Sequence, residues 1–557
     1  MSAGSFRVAV LGGGVGGLSA AHELGERGFD VTVYEAKSRL GGKARSFSVP
    51  SGDDGHSLPA EHGFRFFPGF YRNLRDTLGR IPRPSGGTVA DNLVETDETL
   101  IATTTGEEMR SETRTPNTIA EWVAALKPTI GGGEITPAET NYFLRRLLVL
   151  LTSCRARREQ ELDRVSWWEF VDAEAQSPAY RKHLAESTQA LVALKPQRGS
   201  ARTIGQIYAQ LMLDQIDPNR PTEAVLNGPT SEVWITPWES YLESLGVSVR
   251  TESPVAKIDS DGRRVTGVEL AGGERVTADY YVAALPVEVM ASLVTPELRL
   301  AAPSLGAIGR LDTAWMNGIQ FYLTEDLPLA RGHQAYTDSP WALTAISQRQ
   351  FWDDGPFDIE TCADGSIRGV LSAIISDWET PGLVYDKPAR ECSREEIKTE
   401  VWHQLTAHLN RDAERLSTEY LYDWVLDPAI VETGDGMENH EPLLINTVGS
   451  LRDRPPAVTD APNLVLAADY VRTDTDLATM ESANEAARRA VGGIVERTGA
   501  GAPPPTVWGL SEPQLFDPPK RQDEVAFRLG LPHPGEAERG LRSTFRGLRT
   551  SGWGLDD

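Results

Sequence analysis

The first apolar run, Phe6-Arg7-Val8-Ala9-Val10-Leu11, is short and continuous, as in a strand buried on both faces. It passes directly into Gly12-Gly13-Gly14-Val15-Gly16-Gly17 and then into the helical pattern Leu18 to Leu24. The order is strand, glycine turn, helix. A second strand, Asp30-Val31-Thr32-Val33-Tyr34, ends at Glu35. Residues 116–225 read as mostly helical, with a strongly apolar stretch from Tyr142 to Leu151, and both Thr118 with Glu121 and Ser166 with Glu169 have capping-box spacing. Residues 300–455 alternate strands, such as Ala314 to Leu323, with a helix from Lys398 to Leu409. The aromatic residues of that region (Trp315, Phe321, Tyr322, Trp341, Phe351, Trp352) are expected in its core. Past residue 498 the chain turns to proline, glycine and charge, which predicts a tail or an arm wrapping the body, with Trp508, Phe516, Phe527 and Leu529 as its anchors.

Composition narrows the function classes. A chain of 557 residues is too long for one compact core, so at least two domains or interleaved lobes are expected. With 40 % hydrophobic and 24 % charged residues it is globular. A net charge of −25 disfavours long-range attraction to nucleic acid or anionic lipid. Cys154, Cys362 and Cys392 share no metal or redox spacing, so neither a metal nor a disulfide framework is expected. The best candidate for a membrane span, Tyr280 to Val294, contains Pro286 and Glu288, and the N-terminus shows no leader pattern. The expected location is the cytoplasm, with peripheral membrane contact left open through the short stretch Asp523 to Leu531. No motif sets the oligomeric state.

The glycines carry the first chemistry. Gly12, Gly14 and Gly17 fit G-x-G-x-x-G: Gly12 permits the tight turn, Gly14 lets backbone approach a pyrophosphate, and Gly17 lets the helix pack on the strand. The phosphates then lie on the helix N-terminus, which Val15 opens. Glu35 falls close to the roughly 20-residue spacing of the acid that holds a ribose hydroxyl. At this point NAD and FAD are equally served.

Later segments separate them. Ala36-Lys37-Ser38-Arg39-Leu40-Gly41-Gly42-Lys43-Ala44-Arg45-Ser46 resembles the glycine-doublet segment of two-dinucleotide-binding flavoproteins, where backbone and a basic side chain meet the FAD pyrophosphate. Glu61 to Asn73 resembles the E-x-G-x-H-x-F-F-G-x-Y-x-N stretch that lies against the flavin in plant-type phytoene desaturases, with Arg65 in place of the histidine and Pro68 in place of the second phenylalanine. Val233 to Ile258 and Asp279 to Pro286 resemble the rest of the FAD lobe, and there the backbone at Val255 would meet adenine. Asn463 to Tyr470, followed by Leu477 to Ala490, is similar to the family's L-A-G-D-Y-T…L-A-S-M-E-G-A-V signature. This places Asp469 at the pyrophosphate and ribityl region, and Met480 at a helix N-terminus aimed at the flavin.

The resemblance implies an FAD-dependent oxidoreductase of the amine oxidase and phytoene desaturase superfamily, nearest the phytoene desaturase and hydroxysqualene dehydroxylase-like branch. The expected fold class is α/β, with a Rossmann-like FAD domain (1–100, 226–300 and 455–500) interleaved with a mixed sheet and helical substrate domain (101–225 and 301–454). Gly63, Phe64 and Arg65 would line the flavin. Arg65 either stabilises charge there or pairs with a carboxylate between lobes. His62 reads as structural, and Asn317 stands where amine oxidases are expected to place a flavin-facing lysine. The implied reaction moves a hydride from a largely apolar small molecule, an isoprenoid among the candidates, to flavin N5. An amine oxidase using oxygen remains an alternative, as does a non-redox flavoprotein or lipid carrier on the same fold. Oxygen or a quinone would take the electrons.

Overall fold

The computed structural model describes residues 6–51, 56–106, 108–112, 135–186, 188–216, 221, 223–352, 355–359, 362, 365–434 and 436–536. The Thr118–Glu121 pair and the tail beyond 536 lie outside them. Arg7–Leu11 is the central strand of a five-stranded parallel sheet in the order Leu464–Leu466, Tyr280–Ala283, Arg7–Leu11, Asp30–Tyr34, Ser248–Arg250. Helices cover both faces, which is why its central strands read as unbroken apolar runs. The helix Val15–Gly25 is buried at every position. It packs on Met480–Thr498, whose Asn484 Nδ2 donates to Ser19 Oγ at 2.8 Å. That second helix is capped by Thr479, whose hydroxyl accepts from Ser482 N at 3.1 Å.

A seven-stranded mixed sheet forms the second layer, in the order Leu421–Leu426, Asn317–Leu323, Gly369–Ile375, Thr344–Ser347, Gln334–Tyr336, Glu98–Ala102, Glu108–Glu112. Only the pairing of Gln334–Tyr336 with Glu98–Ala102 is parallel. The latter strand spans residue 100, where the sequence suggested a domain boundary. Phe321, Tyr322, Trp341, Phe351 and Trp352 are buried: Trp315 packs against the core of Phe321 and Trp341, while Tyr322, Phe351 and Trp352 belong to a neighbouring cluster. Their bulk stabilises the sheet and none of them lines the main cavity.

The helices Pro137–Thr152 and Ala201–Ile216 form a cap. Beside them the Ser166 hydroxyl accepts from Glu169 N while the Glu169 carboxylate accepts from Ser166 N, both at 3.1 Å. Residues 501–536 run along the body. Trp508 exchanges two hydrogen bonds with Asn73, and Arg488 lies 5.1 Å over its ring. The helix Asp517–Arg528 docks through Asp523, which is fully buried and accepts from Cys154 N and Arg157 Nε, each at 2.8 Å. Leu529 is therefore not an anchor. It is 69 % exposed, because this helix is held by a carboxylate rather than by an apolar face. No described helix is long and apolar enough to cross a membrane.

Candidate functional site

The two sheets and the cap border one cavity of 1360 Å³. An ordinary ligand pocket holds about 300–1,000 Å³, so this one has room for a cofactor and a second molecule. One end is built of glycine turns. Gly12 has φ +102°, and a Cβ there would meet Ala284 O at 2.5 Å. On Gly17 a Cβ would fall 1.9 Å from Gly12 O, and on Gly16 1.9 Å from Ala467 O. These three glycines are required by protein packed against protein. Gly14 differs, since its Cβ would touch only Gly42 Cα at 3.7 Å. Its missing side chain leaves room on the cavity side. Gly41 (φ +107°) and Gly42 (φ +55°) face it from the second turn, held by Gly41 N donating to Gly13 O at 2.8 Å.

Around this cradle, Glu35 is buried and accepts from Gly13 N at 2.6 Å and Lys37 N at 2.8 Å. A carboxylate has about four acceptor sites, so two remain for a diol. Val15, Ala36, Lys43, Val255, Asp469 and Met480 line the same end. Met480 opens its helix, whose first N–H groups and positive dipole end suit an electron-rich ring edge. The site therefore fits a flavin dinucleotide: backbone where phosphate needs close approach, an acid for ribose, and a helix end for the ring.

Two predicted residues lie off the cavity lining, Gly17 in the packing role its spacing gives it and Arg39 on the surface. Gly17 is buried behind the cavity, in the helix-to-strand contact. Arg39 is exposed and off the lining, because the neighbouring Leu40 turns inward. Beside the glycine turns, Lys37, Lys43 and Arg45 face the cavity. Arg45 grips Glu441 through two contacts at 2.9 and 3.3 Å, and Lys43 Nζ donates to Pro442 O.

Gly63, Phe64 and Arg65 line the middle of the cavity. The Arg65 guanidinium donates to the carbonyls of Gly63, Phe64 and Lys43. Among the described residues no carboxylate forms an ion pair with it, so the expected carboxylate pairing is replaced by a clasp between two backbone segments. Burial pulls its pKa down, partly offset by the nearby charges of Glu61 and Asp427. His62 also lines the cavity, with Nδ1 2.5 Å from Asp427 Oδ2.

The other end is apolar: Ile207, Leu211 and Met212 of the cap face Met316 and Ile374 of the sheet region. Its polar residues carry no motif and escape sequence reading. Burial pushes His333 down to about 4, and its ring lies 4.4 Å from that of Phe66. Burial, then the charge of Asp214, pushes Glu223 up to about 8. Both are neutral near pH 7.

The raised Glu223 makes a pH prediction. Between its ordinary 4.5 and about 8 the folded chain holds a proton that the unfolded chain releases, so stability falls as pH rises through that window. Glu223→Gln removes this loss. Thermal unfolding should show the variant gaining on the parent steadily from about pH 5 to about pH 8, with no gain at the acid end.

The sequence profile of the flavin containing amine oxidoreductases matches residues 15–495. A carotenoid phi-ring synthase of Streptomyces griseus is 26 % identical over 542 residues, covering 94 % of this chain and 92 % of that protein. A zeta-carotene desaturase of Synechocystis sp. is 26 % identical over 529 residues, covering 88 % and 97 %. Among solved structures, a putrescine oxidase with putrescine bound superposes with TM-score 0.60 at 15 % identity, covering 88 % of this chain and 99 % of that one. That last likeness speaks for the fold alone. With a profile match over residues 15–495, most of its length, the chain belongs to the flavin containing amine oxidoreductase family and is an FAD-dependent oxidoreductase.

Proposed function

We propose that this protein is a desaturase or dehydrogenase of a largely apolar, isoprenoid-type substrate. The observation that carries the reading is the far end of the cavity, where apolar side chains dominate and the buried Glu223 and His333 are held neutral. A hydrocarbon loses no solvation on entering such a space and gains about 25 cal/mol for each Å² of its apolar surface removed from water. Near full-length similarity to two carotenoid enzymes supports the same substrate class.

In this reading Gly12, Gly14, Val15 and the Gly41–Gly42–Lys43 turn hold the pyrophosphate, while Glu35 and Ala36 hold the ribose. Val255 meets adenine, Asp469 the ribityl region, and Gly63, Phe64 and Arg65 the ring. The sheet around Arg7–Leu11 with its helices forms the nucleotide domain, and the seven-stranded sheet with its cap forms the substrate domain. Bound FAD supplies the two-electron acceptor. The chain positions the donor against it, excludes water through the cap, and holds Glu223 and His333 neutral at the donor end. The exposed Leu515, Val525, Leu529 and Leu531 give the arm an apolar outer surface suited to a lipid interface, where such a donor resides.

An amine donor is the second reading, favoured by the carboxyl of Asp214 in the cavity wall. The test is an anaerobic panel of carotenes in micelles and of amines, scored by bleaching of the flavin band. Bleaching by a carotene, with a quinone restoring the colour, is the expected result. Bleaching by amines alone, with hydrogen peroxide released in air, overturns the isoprenoid reading.

A further inference from the structure

We propose that His62 is the general base of the oxidation, carried by Asp427, and takes the proton that the substrate sheds when its hydride leaves. This rests on FAD oxidoreduction, which the isoprenoid and amine readings share, and not on the choice between them. The balance demands such a group. When C–H gives a hydride to FAD, the cation left behind becomes an alkene, or an imine, only by losing H⁺ from the neighbouring carbon or nitrogen. The proton needs an acceptor, and two of the buried groups of the cavity are unsuited to take it: Glu223 is already protonated and His333 is a poor base.

His62 is placed for that work. It lies on the segment that carries Gly63 to Arg65, where the nucleotide end of the cavity meets the apolar end, and its side chain is 14 % exposed. Nδ1 sits 2.5 Å from Oδ2 of Asp427, which is 2 % exposed, at an angle outside hydrogen-bond geometry. A small turn of the ring aligns it, as is common before substrate binds. Asp427 is itself fixed: Asn317 Nδ2 donates to Oδ2 at 2.6 Å, Ala429 N donates to Oδ1 at 3.0 Å, and Asn439 holds Asn317 at 2.8 Å. With Nδ1 committed to the carboxylate, Nε2 is the nitrogen left for the substrate, and the imidazolium that forms is stabilised by the buried anion. Glu441 also favours that cation, and Arg65 and Arg394, which feel the charge of Asp427, oppose it.

The test uses the FAD-loaded protein reduced anaerobically by a carotene in micelles, or by putrescine should the carotene leave the flavin oxidised. Failure of the carotene with success of putrescine counts against the isoprenoid reading and leaves this inference standing. In the parent, the reduction rate should rise with pH as the base is freed of its proton. His62→Gln should slow reduction by roughly a hundredfold or more, erase that pH limb and leave KM, FAD content and melting temperature in place. Asp427→Asn should release the His62 ring from the Nδ1–H tautomer, as read by imidazole nitrogen NMR, a change seen without turnover and independent of whether His62→Gln folds. An unchanged rate and pH profile in His62→Gln, or an unchanged His62 tautomer in Asp427→Asn, overturns the assignment.

Discussion

Gly17→Ala is expected to unfold the nucleotide lobe, while Gly14→Ala leaves the fold intact and costs only the cofactor. The two glycines belong to one motif, yet their surroundings differ. A Cβ on Gly17 would fall 1.9 Å from the carbonyl of Gly12, a backbone atom within the tight turn itself. Neither partner can move without parting the helix Val15–Gly25 from the strand Arg7–Leu11, so the cost exceeds about 3 kcal/mol. At Gly14 the nearest atom is 3.7 Å away and φ is −76°, which alanine adopts without strain. The added methyl instead occupies space toward the ligand. If it removes about 3 kcal/mol of contacts between backbone and a charged phosphate, FAD affinity falls roughly a hundredfold. Thermal melts of the FAD-free proteins together with FAD titrations separate the outcomes. Equal melting temperatures for the two variants would contradict the division.

Asp476→Ala should be similarly damaging, far from any sequence motif for it. Asp476 is a non-glycine residue at φ +49° and is 1 % exposed. Its carboxylate lies 2.7 Å from Arg454 Nη1 and pairs with Arg202 of the cap, while its carbonyl accepts from Asn446 at 3.1 Å. Three parts of the chain thus converge on one strained residue immediately before Leu477-Ala478-Thr479-Met480, which line the cofactor end. Alanine keeps the strain and leaves two buried guanidinium groups without their anion, a loss of about 3–5 kcal/mol. Asn, which tolerates the left-handed backbone, should recover part of the stability without the charge. Denaturant unfolding and FAD retention check both. A loss within about 0.5 kcal/mol, the range of an ordinary surface change, would refute the role assigned to this cluster.

What the sequence reveals and what it hides follow from the kind of constraint each residue meets. Gly12, Gly14, Glu35 and Met480 act through backbone or through neighbours close in the chain, so their spacing is visible in one dimension. The two aligned segments at 61–74 and 463–490 are legible for the same reason. Arg39 is misleading because motif spacing records position along a loop and not which side chain turns inward. Leu40 takes the inward place. Asp427, Glu223 and His333 become site residues only when separate strands and loops converge, and each stands in sequence as an ordinary acid or histidine. His62 reads as structural until Asp427 arrives at 2.5 Å. The arm shows the same limit: its apolar residues suggest anchors, yet a buried carboxylate, Asp523, holds it down.

One cavity is proposed to receive FAD at its glycine end and an apolar donor at its capped end. The most direct measurement is an anaerobic single turnover with a carotene, in which flavin reduction is followed optically and the product is weighed by mass spectrometry. One flavin should be reduced for each product molecule lighter by two hydrogens. A flavin that stays oxidised with every carotene yet is reduced by amines, or a product of unchanged mass, would contradict it.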